Sequence, residues 1–264
     1  MLCGSVQNLD YHNPAVKIRV GCCGWSSLRG EDVGMPDWKE HFAHKLQLYA
    51  TRFPLVEVNS TFYRLPRAAT AQRWRALADA VNPNFEFTVK VYQEVTHKAR
   101  FRGGAALSAF SETAKIARTL RARVLLLQCP PSFGPTPENE AALREFLSAI
   151  DRDDFLLVWE PRGKWQEAPD RVAEICQEFS LIHCTDPFRA LPAVADGVLY
   201  LRLHGAPPGE RMYYYAYTED DLAWLGERLK GLEADTVYVL FNNIYMFRDA
   251  LKFMDIWEGR CTEN

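Results

Sequence analysis

The residues in this sequence best suited to chemistry sit at the ends of short apolar runs. They are Glu57 and Asn59, Lys90, Gln128, Glu160 and Arg162, Asp186, Arg202 and His204, and Asn242. Glu57 and Glu160 suit a general base and acid if desolvation raises a pKa, and a plain ion pair with Lys90 or Arg162 is the alternative for each. Lys90 could form a Schiff base or act as a charged clamp, and Arg162 and Arg202 could grip a carboxylate or phosphate with paired donors. With His97 and His204 these cations outnumber the carboxylates, so an anionic or sugar-phosphate ligand is the first expectation. Lys98, Arg100 and Arg102 carry the positive charge onward, or simply form a solvated loop. Glu57, Glu160, Asp186 and His204 are a metal-ligating set in type, but they lack compact spacing and have cations beside them. Neither a metal nor any other cofactor is therefore expected. The aromatics Trp25, Phe62, Tyr63, Trp165, Tyr213, Tyr214, Tyr215 and Tyr217 could stack on sugars or bases or merely cap the fold. Pro207, Pro208 and Gly209 mark a loop that could carry the tyrosines as a lid.

These residues need elements to hold them. Strand-length runs rich in Val, Leu, Ile and Phe are predicted at 18–25, 55–63, 85–92, 123–130, 155–162, 181–186, 198–205 and 236–243. Helical periodicity fills 37–51, 68–80, 104–120, 137–150, 164–179, 218–232 and 245–257, with Asp37 and Thr218 as N-caps and Pro137 in a first turn. The 187–197 connection is too short for a full helix. Strict β–α alternation with no composition break predicts one domain, a TIM-type (β/α)8 barrel of class α/β with a degenerate unit after strand six. No GxGxxG follows the first strand, so an open dinucleotide-binding sheet loses its main support.

Strand alternation then sorts the side chains. Leu199, Leu201 and Leu203 form an apolar face for the helix layer, which turns Tyr200, Arg202 and His204 inward. Phe85, Phe87, Val89 and Val91 send Glu86, Thr88 and Lys90 inward; Val56 and Val58 do the same for Glu57 and Asn59, and Phe155, Leu157 and Trp159 for Glu160 and Arg162. The outcome is a polar ring at the carboxyl ends of the strands, where barrel enzymes do chemistry. A self-satisfied interior network is the competing reading.

The bulk numbers exclude several classes. Of 264 residues, 48% are hydrophobic, and Lys+Arg 31 against Asp+Glu 34 gives a net charge of -3, so non-specific polyanion coating is not expected. Residues 1–20 lack a secretory apolar core, and no run approaches bilayer-spanning length, so a cytoplasmic location is expected. Seven cysteines without metal spacing read as idle thiols, with Cys22 and Cys23 on opposite strand faces.

The phrases VGCCGW, FPLVEVNSTFYRLP, FTVKVYQEVTH, LLLQCPPSF, VWEPRGKW, YLRLHG and YVLFNN, in this order, resemble the YecE-like domain-of-unknown-function family. The resemblance implies a TIM-type barrel and no established activity. It marks Gly24, Trp25, Glu57, Asn59, Phe62, Tyr63, Lys90, Thr96, His97, Gln128, Pro130, Glu160, Arg162, Trp165, Arg202, His204, Gly205, Asn242 and Asn243 as family-typical. The sequence departs from the family in having cysteine at Cys22 or Cys23 instead of a small Thr or Ser, and in EPR at 160–162 instead of an EFRH-like phrase. The combined expectation is a hydrolase or lyase for a polar anionic or sugar-containing substrate. Glu57, Lys90, Glu160 and His204 would be catalytic, and Trp25, Asn59, Tyr63, His97, Gln128, Arg162, Arg202 and Asn242 would bind substrate. The alternative is a non-catalytic module that binds a metabolite or single-stranded nucleic acid in the same pocket.

Overall fold

The computed structural model describes residues 16–195, 197–205, 211–232 and 234–260. Eight parallel strands close on themselves in sequence order: β1 Lys17–Cys22, β2 Leu55–Val58, β3 Glu86–Lys90, β4 Val124–Gln128, β5 Leu156–Glu160, β6 Ile182–Thr185, β7 Val198–Leu203 and β8 Thr236–Phe241. The β1–β8 seam runs from Lys17 opposite Thr236 to Cys22 opposite Phe241, which closes the barrel along the whole of both strands.

The helices are α1 Trp38–His41, α2 Lys45–Arg52, α3 Ala68–Asp79, α4 Gly103–Thr119, α5 Pro137–Ala149, α6 Pro169–Phe179, α7 Glu219–Lys230 and α8 Met246–Trp257. Two single helices expected from periodicity are broken, each for a local reason. Over 37–51, His44 is extended and its Nδ1 accepts the Leu46 N–H, while Gln47 reaches back to the His44 N–H; this capping box starts α2 afresh. Over 164–179, Pro169 cannot sit in a helix interior, since it lacks an N–H and its ring clashes with the preceding turn. It instead opens α6, leaving 163–167 as a short 3-10 turn. Thr218 caps α7 through Oγ1, whereas Asp37 makes no capping bond and pairs with His41 at 3.2 Å. No helix lies between Thr185 and Val198 among the described residues. None of the helices described is long and apolar enough to cross a membrane.

Side-chain parity builds two apolar layers. Val56, Val58, Phe87, Val89, Leu125, Leu127, Leu157, Trp159, Leu199, Leu201, Val237 and Val239 pack outward against the helices. Leu55, Val124, Leu126, Val158, Cys184, Tyr200, Tyr238 and Leu240 fill the barrel itself. Cys22 and Cys23 fall into different layers, as alternation requires. Burial pushes both thiols well above their ordinary range, so neither is a ready nucleophile. Above this plug the interior turns polar.

Candidate functional site

The lower tier of the polar interior is an ion cluster built on Arg202. This guanidinium is buried at the centre of the barrel; its Nη2 donates to Glu57 Oε1 at 2.9 Å and its Nη1 to Glu160 Oε2 at 2.5 Å. The second oxygen of Glu57 accepts the Tyr200 hydroxyl at 3.0 Å, and Tyr200 also meets Thr88 Oγ1 at 2.8 Å. The remaining oxygen of Glu160 accepts from Arg162 Nε at 2.7 Å and is ion-paired with its Nη2 at 2.6 Å. Burial works against ionisation of Glu160, but the charges of Arg202 and Arg162 outweigh it and hold the carboxyl well below its usual range.

His204 follows the last residue of β7, just above this cluster. Its Nε2 lies 2.9 Å from Arg162 Nη2. With the ring proton on Nδ1, Nε2 can accept from this guanidinium and Nδ1 faces Asp186 Oδ2 at 3.4 Å; Nε2 also lies 3.5 Å from Glu160 Oε1. Asp186 also accepts the backbone N–H groups of His204 and Phe188. It thus pins the ring and shapes the turn after β6.

Lys90 stands apart from all of these bonds. It ends β3, is buried, and places its ammonium 4.1 Å from the centroid of Phe62. The carboxylates nearby are already bound by arginines. Burial, reinforced by the like charge of Arg202, pushes its pKa down to about 8. Asn59 sits one position past the Val58–Val89 pair, level with Lys90 on the neighbouring strand, and its Oδ1 is buried with no donor. His97 packs edge-on to Phe62 at 4.7 Å and shares a 2.8 Å hydrogen bond with Thr96 Oγ1. Burial, then Lys90 and Arg162, lower His97 to about 4, so it is a neutral imidazole at physiological pH. A single turn of π-helix, Glu94–Lys98, carries it, a local irregularity that often marks functional sites.

The structure therefore brings Glu57, Lys90, Glu160, His204, Arg162 and Arg202 to one end of the barrel, with Asn59 and His97 beside them. Gln128 is buried on β4 and bonds the Cys129 carbonyl; Asn242 is half-buried past β8. Tyr63 lies on the rim and is 67% exposed. Three expectations change. Glu57 is not placed as a free catalytic carboxylate, since it has no exposure and both oxygens are occupied. Glu57 and Glu160 are not a free base and acid pair, because one guanidinium bridges them. Trp25 is not in the mouth: it packs against Trp74 of α3 at 5.1 Å, in the helix layer, and Trp165 likewise packs on Trp159 at 5.0 Å. Tyr217 is also buried, its hydroxyl accepting the Gly205 N–H. No group of three or more His, Cys, Asp or Glu side chains placed to hold a metal occurs among the described residues. The suggested lid at 207–209 lies outside those residues.

Sequence reasoning missed two features. Phe62 appears as a stacking platform for ligands but serves as the surface under Lys90. A cavity of about 410 Å³ beside Arg162 and His204 had only one trace in sequence, the shortness of the 187–197 connection. A second cavity, of about 500 Å³, opens at the amino ends of the strands around Glu86 and Arg123, the face of a barrel associated with stability.

The sequence pattern of a family described as "Protein of unknown function DUF72" matches residues 19–261. The UPF0759 protein YunF of Bacillus subtilis is 26% identical over 265 residues, covering 86% of this chain and 88% of that protein. A DUF72 family protein of Enterococcus faecalis superimposes with a TM-score of 0.71 at 21% identity, over 94% of this chain and 97% of the other. A D-psicose 3-epimerase, crystallised in the presence of D-fructose, shares the fold at a TM-score of 0.54 and 11% identity, over 89% of this chain and 96% of the other.

Proposed function

The chain belongs to the DUF72 family, and from that premise we propose that its barrel mouth is the active site of a lyase. The substrate would be a small, hydroxylated, anionic carbonyl compound, and Lys90 would be the reacting amine. The observation that carries this reading is the state of Lys90: buried, unpaired by any carboxylate among the described residues, and lowered to about 8. A neutral amine adds to a carbonyl carbon and the carbonyl oxygen departs as water, leaving an imine; a lysine lowered towards neutrality is neutral often enough to react. Arg162, with its side chain 18% exposed against 1% for Arg202, is the arginine able to reach a ligand anion. Asn59 Oδ1 awaits a donor such as a substrate hydroxyl, because a buried acceptor without one is costly. His97, as a neutral ring, can share a hydrogen bond with a substrate oxygen. The D-psicose 3-epimerase acts on a sugar in a barrel of the same fold; that likeness carries the fold and leaves the ligand to the side chains.

Hydrolysis by a Glu57–Glu160 pair is disfavoured because Glu160 stays ionised and Glu57 is enclosed. The buried thiols fit a reducing, cytoplasmic setting. The test is reductive trapping. The protein is incubated with a panel of 2-oxo acids and sugar phosphates, treated with borohydride, and measured by intact mass and peptide mapping. A substrate-dependent adduct on Lys90, missing in Lys90→Arg, is expected. Adducts confined to surface lysines would reject the reading in favour of a pocket that binds without reacting.

A further inference from the structure

We propose that the gap left by the missing helix after β6 is a second subsite, which takes an aromatic or branched apolar part of the substrate whose anionic end is held at Arg162. This rests on the anion-binding reading above and extends it from substrate charge to substrate shape. In the other βα units a helix covers the strand; between Thr185 and Val198 only an irregular segment does so among the described residues. Beneath that segment lies the cavity of about 410 Å³, within the size range of small-molecule sites.

Its two ends differ in chemistry. At the inner end Arg162 and His204 line it, so it is continuous with the charged mouth. Much of the remaining lining is apolar, including Trp165 behind the β5 loop, Val172 of α6, and Ala190 and Leu191 of the covering segment, with Gln166 and Arg189 as polar members beside them. Leu191 is 39% exposed although it lines a concavity, an arrangement that leaves apolar surface in water unless a ligand covers it. Thr185 Oγ1, also on the lining, is buried without a partner and gives the site one further polar contact. A mostly apolar cleft with a few convergent polar groups at one end is built for an amphipathic small molecule. The mouth around Lys90, Arg162 and Asn59 offers aromatic surface only at its rim, where Tyr63 is exposed.

The experiment titrates the 15N-labelled full-length protein with inorganic phosphate and with phenyl phosphate, following amide shifts. Two variants, Ala190→Trp and Ala193→Phe, add bulk to the cavity lining from the covering segment and leave Arg162 and His204 unchanged. For the wild type, phenyl phosphate is expected to bind at least tenfold more tightly than inorganic phosphate. Both variants should reduce that preference below threefold while inorganic phosphate affinity stays within twofold. Equal affinities in the wild type, or a preference that survives both substitutions, would overturn the subsite and leave the anion site standing. If the wild type bound no inorganic phosphate, the anion site itself would fall, an outcome read separately from the preference.

Discussion

Replacing Lys90 by methionine should stabilise the protein at neutral pH, because the site holds a charged amine where the fold alone would not place one. A fall in pKa from 10.5 to about 8 corresponds to about 3 kcal/mol against the charged form below pH 8. The contact with the Phe62 ring offsets about 1–2 kcal/mol of this, and methionine keeps the apolar stem packed. The net gain for Lys90→Met at pH 7 is therefore about 1–2 kcal/mol. The pH dependence follows from proton counting. Between about 8 and 10.5 the folded chain binds fewer protons at this residue than the unfolded chain, so wild-type stability rises with pH through that window. The advantage of the variant is full below pH 8 and fades towards pH 10.5. Urea unfolding of both proteins at pH 7 and pH 10 measures it, and titrations common to the two cancel in the difference. A variant less stable than wild type at pH 7, or an advantage that does not shrink at pH 10, would refute the claim that Lys90 is an uncompensated cation.

Arg202→Met should destabilise by about 3–5 kcal/mol in the same assay, because it leaves Glu57 and Glu160 buried without their shared partner. Adding Glu57→Gln to that variant should recover part of the loss, and a double variant weaker than the single one would contradict the bridging role. The imidazole of His97 should titrate by NMR near 4 and move towards 6.5 in Lys90→Met, since the charge of Lys90 is second only to burial among the causes of its low value. An unmoved midpoint would separate the two side chains.

Parity along the strands made the fold and the membership of the polar ring legible, because alternation is a local property and each strand carries an unbroken apolar face such as Leu199, Leu201 and Leu203. Helix breaks were less visible. Pro169 was present in the sequence as a stop signal, but the capping role of His44 depends on an extended backbone that its residue type does not announce. The fate of the carboxylates was illegible for a different reason. Glu57, Glu160 and Arg202 lie on β2, β5 and β7, strands that are not neighbours, so their pairing depends on the diameter of the closed barrel and on what fills its centre. Trp25 was misplaced because β1 ends at Cys22, three residues earlier, where alternation no longer fixes side-chain direction.

Under the proposed reading, the ion cluster also accounts for why the reacting group would be a lysine. Had Glu57 or Glu160 reached Lys90, an ion pair would have raised the amine's proton affinity and made it an ordinary clamp. Arg202 instead engages one oxygen of each, Tyr200 takes the other oxygen of Glu57, and Arg162 the other oxygen of Glu160. The two guanidinium groups lower the proton affinity of the amine and the two carboxylates raise it, while burial is the largest single influence and lowers it. Under that reading the two glutamates and Arg202 would act through what they withhold from Lys90. A substitution that frees one of them, such as Arg202→Met, should raise the pKa of Lys90 as well as weaken the fold.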